Sequence, residues 1–248
     1  MISDGGYVGG FLGLSSGSAD IARCYATGAV TGTDRYAGGF AGYTSGAGTV
    51  DRCCCTGAVI VGNVGGDSYS GGFVGYNGLH ITDCYSRSSI TATGDWVGGF
   101  VGVSGQETRC YATGAITGVG ANIGGFCGSE DTIVNCFWDK ETTGYATDEA
   151  VTGTTGLTTA EAKDIRTYQT AEWPISTIWN ITSGCNDGYP CLLDVNPCCA
   201  VASPGDNTII GDKVTLEAIR NIEIVYGGRF LIDKSGKAVY ESRYHRNV

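Results

Sequence analysis

Histidine is nearly missing from this 248-residue chain: the two present are His80, in a stretch that reads as a loop, and His245, near the end. A Ser-His-Asp triad or a catalytic zinc site depends on imidazole as base or ligand, so both chemistries are disfavoured. Charge is also scarce, at 16% of residues against a usual share of about 25%. The net charge of −10 leaves no basic stripe to neutralise phosphates, which argues against a nucleic-acid face. No apolar run approaches the roughly 20 residues that span a bilayer. The opening MISDGGYVGG has neither the basic segment nor the apolar core of a secretory leader. A start so close to a repeat reads as that of a fragment or a short reading frame. Prolines number four and no G-X-Y period exists, which excludes collagen despite 42 glycines.

What is present is glycine, tyrosine, valine, isoleucine and threonine, a mixture suited to tight turns and pleated surfaces. It is arranged as a repeat. A G-G-F-x-G phrase, with Cys in place of an aliphatic residue in its last copy, recurs around Phe11, Phe40, Phe73, Phe100 and Phe126, and a second phrase follows each. The second phrase reads RCYATGAVTG from Arg23, RCCCTGAVIVG from Arg52, DCYSRSSITATG from Asp83 and RCYATGAITG from Arg109, and it decays to NCFWDKETTG from Asn135. Aligned on these phrases, Cys24, Cys54, Cys84, Cys110 and Cys136 occupy one position. Side chains alternate over a few residues and then meet glycine, and no helical spacing of apolar residues runs through the first 140 positions. One such unit cannot bury its apolar face alone, so the repetition is itself a folding requirement. The expected fold is all-β: a parallel β-solenoid of about five coils over 1–144.

The unit G-G-F-V-G…C-Y-A-T-G-A-V-T-G resembles the GLUG repeat of large prokaryotic surface and secreted proteins, over about residues 5–194. The resemblance implies a β-solenoid and an adhesin-like setting, and it is far less specific for activity than for architecture. It extends through GLTTAEAKDIRTYQ and STIWNITSGCNDGYPCLL, a segment similar to those that close such arrays.

After the repeats, Thr158 with Glu161 three residues on forms a capping-box pattern and predicts a short helix over 158–167. With the aromatics that follow, residues 145–194 read as a cap over the solenoid end, where an open parallel edge would recruit another chain. Residues 195–248 alternate as a small β module with a hairpin at Asp233–Gly236 and a locally basic end.

Twelve cysteines hint at an oxidising compartment, but Cys24, Cys54, Cys84, Cys110 and Cys136 read as a stacked core ladder of small buried side chains. Disulfides are expected instead among Cys185, Cys191, Cys198 and Cys199. Regular C-x-x-C pairs are absent, so no metal is expected, and no cofactor. The acids Asp51, Asp67, Asp83, Asp95, Glu107, Glu130, Asp131, Asp139 and Glu141 share no repeat position, unlike a catalytic carboxylate pair. The column Arg23, Arg52, Asp83, Arg109, Asn135 reads as a solvated face. Tyr25, Tyr85 and Tyr111 make either a stacked structural ladder or a sugar-stacking stripe. Asn180-Ile181-Thr182 fits a glycosylation sequon.

The functional expectation is a non-catalytic, extracellular or cell-surface structural or adhesive protein. Its partners would be further copies of itself, other surface proteins or glycans, and a self-assembling filament is one form it could take. The alternatives are a bacteriophage tail fibre or spike in a virion, and a binding module of a larger secreted enzyme.

Overall fold

The computed structural model describes residues 2–3, 6–18, 20–33, 35–62, 68–129, 132–148, 152–195, 229–232 and 238–241. The chain forms two compact units, Met1–Val195 and Asn196–Val248. In the second unit, the strands Arg229–Ile232 and Ala238–Glu241 pair antiparallel, Arg229 opposite Glu241. The rest of the expected β module, Cys198 and Cys199 lie outside the described residues.

The first unit is a parallel β-solenoid whose coils run along four faces. The first face is built from Tyr7–Gly9, Tyr36–Gly38, Tyr69–Gly71, Trp96–Gly98 and Asn122–Gly124. Tyr25–Ala26, Cys54–Cys55, Tyr85–Ser86, Tyr111–Ala112 and Cys136–Asp139 make the third face. The fourth carries Val30–Gly32, Val59–Val61, Ile90–Ala92 and Ile116–Gly118. The second is the longest, and includes Ala41–Asp51 and Val74–Thr82. Every pairing within these faces is parallel, with like repeat positions adjacent.

The glycine phrase makes the bend between the first two faces. A Cβ on Gly98 would lie 2.0 Å from the Val101 carbonyl oxygen and 2.7 Å from that of Phe126 in the next coil, so only hydrogen fits. The following phenylalanine then turns inward. Phe40, Phe73, Phe100 and Phe126 are fully buried, their rings 4.8 to 4.9 Å apart and nearly parallel. Rings touching at about 3.5–4.0 Å yet separated by 4.8 Å between centroids are slipped, which the ring quadrupole favours. A second interior column holds Val8, Val30, Ala37, Val59, Ile90 and Val97.

The corner between the second and third faces corrects two expectations. Arg23, Arg52, Asp83, Arg109 and Asn135 all have φ between 51° and 56°, so this column is the left-handed corner, with Arg23 and Asn135 exposed and Arg52 and Arg109 half-buried. Asp83 is buried within it. The residue after the corner points inward and forms the ladder, and in the second coil that residue is Cys53, not Cys54. Cys24 N donates to Cys53 Sγ at 3.4 Å, and Cys53 N to Cys84 Sγ at 3.2 Å. Cys54 stands in register with Tyr25 and Tyr85 and points outward. Three cysteines in a row leave the alignment free to slip by one residue, and in a strand such a slip exchanges inside for outside. Each ladder thiol also donates to the carbonyl before the corner, as Cys84 Sγ does to Thr82 O at 3.2 Å. A small side chain able to accept and donate is what this turn uses.

The solenoid completes four turns and the fifth breaks off. After Cys136–Asp139, the Asp139 carboxylate accepts from Glu141 N and Thr142 N and starts helix α1, Lys140–Thr143, where earlier copies continue into the fourth face. The chain then returns as Thr154–Leu157, which pairs with Cys136–Asp139. At this end the Phe126 and Cys127 N–H groups have no further coil to donate to. Asp148 Oδ1 accepts both at 2.9 Å, a carboxylate standing where a sixth coil's carbonyl would be. Trp138, donating to Tyr145 O at 2.9 Å, fills the core beneath.

The predicted helix divides in two. Thr158 and Glu161 form the capping box of α2, Thr159–Ala162. Asp164 then caps a separate α3, Ile165–Thr170, through Arg166 N.

Removal of the end carboxylate by Asp148→Ala should cost about 1–3 kcal/mol, the penalty for two orphaned buried donors. Hydrogen exchange should quicken at Phe126 and Cys127 while Phe73 stays protected; equal protection at both places would refute the end-sealing role.

Candidate functional site

On the second face the coils differ in length. From the ring residue to the ladder cysteine there are 13 positions in the first two coils (Phe11 to Cys24, Phe40 to Cys53). There are 11 in the third (Phe73 to Cys84) and 10 in the fourth and fifth (Phe100 to Cys110, Phe126 to Cys136). The register records the step: Ser45 pairs with Gly78, and pairing resumes at Thr49 with His80. Between them Gly46 takes a φ of 119°, and 46–48 overhang the shorter coils beyond.

Under this shelf lies a groove of about 380 Å³ lined by Gly46, Ala47, Gly48, Thr49, Tyr76, Asn77, Gly78, Leu79, His80, Ser104, Gly105 and Gln106. Its floor is braced from inside. Asn77 Oδ1 accepts from Thr44 Oγ1 at 2.8 Å, and Asn77 Nδ2 donates to Glu107 Oε1 at 2.7 Å. All three side chains are buried. His80 Nε2 sits 3.2 Å from both the Thr82 and Thr108 hydroxyl oxygens. Among the described residues, the lining has no Lys, Arg, Asp or Glu.

Tyr76 is the aromatic member of the groove. One face of its ring stacks on Tyr43 at 4.8 Å and 7°. Tyr36 and Tyr69 meet it edge-on. Its register neighbour on the far side is Val103, which is too short to cover a phenol ring. The adjacent column Tyr7, Tyr36, Tyr69, Trp96 is stacked throughout at 5.0 to 5.1 Å. Its inner rings cover one another's faces, so Tyr36 and Tyr69 offer solvent only their edges.

The third face is closed off beyond its first coil, where Tyr25 stays 63% exposed. Trp173, Trp179, Tyr189 and Leu192 pack over Tyr85, Tyr111 and Phe137, so Tyr85 and Tyr111, stacked at 5.1 Å, are not an accessible sugar stripe. Residues 158–195 thus lie as a strap along the side of the coils, whereas the sequence placed them over the end. Tyr111 OH donates to Pro190 O at 2.6 Å. Trp179 Nε1 donates to Asp83 Oδ1 at 2.7 Å, and Arg109 binds the same carboxylate at 2.8 and 2.6 Å. Further along, Asp194 bridges Arg23 and Arg52 at 2.5 and 2.9 Å.

The predicted acids are dispersed. Asp51 pairs with Arg52, Asp83 with Arg109, Asp139 accepts from Tyr189 and Thr159, and Glu107 lies in the groove floor. Asp67, Glu130 and Asp131 are outside the described residues. Among the described residues no three His, Cys, Asp or Glu side chains converge as metal ligands, and no helix is long and apolar enough to cross a membrane. Eight of the ten described cysteines are free thiols; Cys185 and Cys191, both buried in the strap, are the other two. Burial pushes the thiol of Cys54 up to about 11 and that of Cys55 up to about 12, values of inert core groups.

Residues 4–31 and 66–91 match the family described as the GLUG motif. No curated protein and no solved structure matches the chain.

Two outcomes follow from this packing. Asp83→Ala strands Arg109 and the Trp179 N–H. It should cost about 2–3 kcal/mol, below the usual range for a broken buried pair because the Arg109 side chain is 28% exposed. Tryptophan emission should shift to the red as the strap loosens; an unchanged spectrum and midpoint would rule the anchor out. The second concerns pH. The buried thiols of Cys54 and Cys55 hold their protons in the fold beyond their ordinary value of 9.0, while the unfolded chain releases them. Their contribution to stability is therefore intact below about pH 9 and is lost as pH climbs through the folded values of about 11 and 12. Melting temperatures should fall steadily across that window, and a flat profile would contradict the burial.

Proposed function

Since the chain carries GLUG repeats folded as a parallel β-solenoid, we propose that it is a non-catalytic structural or adhesive protein displayed outside the cell. The observation that carries this reading is the continuity of the side-chain ladders. Four phenylalanines buried at 4.8 to 4.9 Å spacing and five left-handed corners make a stiff support with little to move. The ionisable groups support it as well. Asp83, Asp139 and Glu107 are each engaged in holding a corner, a helix start or a loop, and none is paired with a second carboxylate across an open cleft.

The extracellular part rests on Cys185 and Cys191, which are not among the free thiols; the proposal includes disulfide bonding among Cys185, Cys191, Cys198 and Cys199. The total cysteine count adds no support, because the ladder thiols belong to the core. The proposal also includes self-association into a filament. With one end of the solenoid sealed by Asp148 and Trp138, copies would join through other surfaces.

Electron microscopy of the purified chain, with and without reductant, tests the assembly, and labelling of intact cells with a membrane-impermeant biotin reagent tests the location. Filaments that reduction disperses, on a chain labelled from outside, are the expected result. Discrete particles in both conditions remove the filament, and a chain that labels only after lysis removes the extracellular reading.

A further inference from the structure

We infer that the groove beneath Gly46–Gly48 is a binding site for a short neutral saccharide. The inference rests on the adhesive reading and gives it a specific contact. Four properties of the groove select this class of ligand.

Charge comes first. A site for phosphate, sulfate, carboxylate or a metal ion supplies a matching charge, and among the described residues His80 is the only ionisable side chain of the lining other than the Tyr76 phenol. The net charge of −10 further disfavours an anionic ligand. Size comes next: about 380 Å³ is at the small end of ligand sites, which run from about 300 to 1,000 Å³, and suits one or two sugar rings.

The third property is the platform. Sugars present a patch of C–H groups that packs on an aromatic face, and Tyr76 has such a face directed to the Val103 side. Its opposite face and its edges are held by Tyr43, Tyr36 and Tyr69, so the ring is fixed before any ligand arrives. A pre-set platform loses little entropy on binding.

The fourth is the polar surround. Sugar hydroxyls both donate and accept, and His80 and Gln106 are exposed at the rim with matching groups, beside Thr49, whose hydroxyl donates to Asp20 Oδ1 at 2.9 Å and is left as an acceptor. The glycines at 46, 48, 78 and 105 bring backbone amides to the wall without side chains in the way. An apolar peptide finds no counterpart, because Leu79 is buried under the floor. Asn77 acts as a positioning residue: its amide joins Thr44, Leu79 and Glu107 across three coils and sets the shape of the loop above.

The test uses the full chain and saturation-transfer NMR. The neutral probes are cellobiose, maltotriose and diacetylchitobiose, and the charged controls are a sulfated chondroitin disaccharide and AMP. At least one neutral probe should bind and the controls should not. Tyr76→Ala should weaken binding about tenfold. Val103→Tyr is the decisive variant: it prolongs the Tyr43–Tyr76 column by one ring, covers the open face and should abolish binding while leaving the melting temperature unchanged or higher. If no neutral probe binds, if a charged control binds better, or if binding survives Val103→Tyr, the inference is overturned. Attachment of the fluorescent chain to intact cells is measured in parallel. Attachment that persists without sugar binding sinks the groove alone, and sugar binding without attachment sinks the adhesive reading.

Discussion

A strand in a parallel stack can satisfy its N–H and C=O groups only through the coils above and below it. In this chain that requirement fixes an axial repeat near 4.8 Å, visible in the spacing of the phenylalanine rings. Once the repeat is fixed, each position must hold a side chain that tolerates its own copy at that distance. Phenylalanine does so by slipped stacking, valine by branching, and cysteine by passing a hydrogen bond to the next coil. The same rule makes an end costly, since the last coil has donors and no acceptors. Asp148 answers it with one carboxylate oxygen for two N–H groups.

Much of this fold was legible because the constraint repeats. Five copies of one phrase announce a solenoid, glycine marks its bends, and alternation marks its faces. The error at Cys54 shows where that legibility stops: Arg52-Cys53-Cys54-Cys55 permits two alignments, and only backbone geometry at the left-handed corner decides between them. With Cys53 in place, the shrinking interval from phenylalanine to cysteine was readable and would have pointed to the shelf on the second face. The strap was not readable. Its tryptophans and Tyr189 lie outside the repeat, and nothing local in their sequence says whether they cross the end of the solenoid or run along its side. Asp83 at the corner was misread for a related reason, since an acid that is buried and ion-paired looks in sequence like a solvated one.

The four faces end up with different fates. The third is covered beyond its first coil, the inner surface is filled, and the first presents mostly ring edges. The shelf on the second face is a concavity that the repeat itself would not produce. It exists because the later copies hold fewer residues between the ring and the cysteine than the first two. A surface feature arising from broken periodicity, on a support that periodicity makes rigid, agrees with function being carried by local variation on a repeated fold.

The strap also alters what kind of object the solenoid is. An array whose coils touch only their neighbours behaves as a one-dimensional chain and can fray from either tip. Here Trp173 packs against the fourth and fifth coils, Trp179 against the third, and Asp194 reaches the first and second. The line of contacts is thereby closed into a loop, and no tip can open without disturbing the middle. A ladder has been given a stay along its length, so that it comes apart as a whole or not at all.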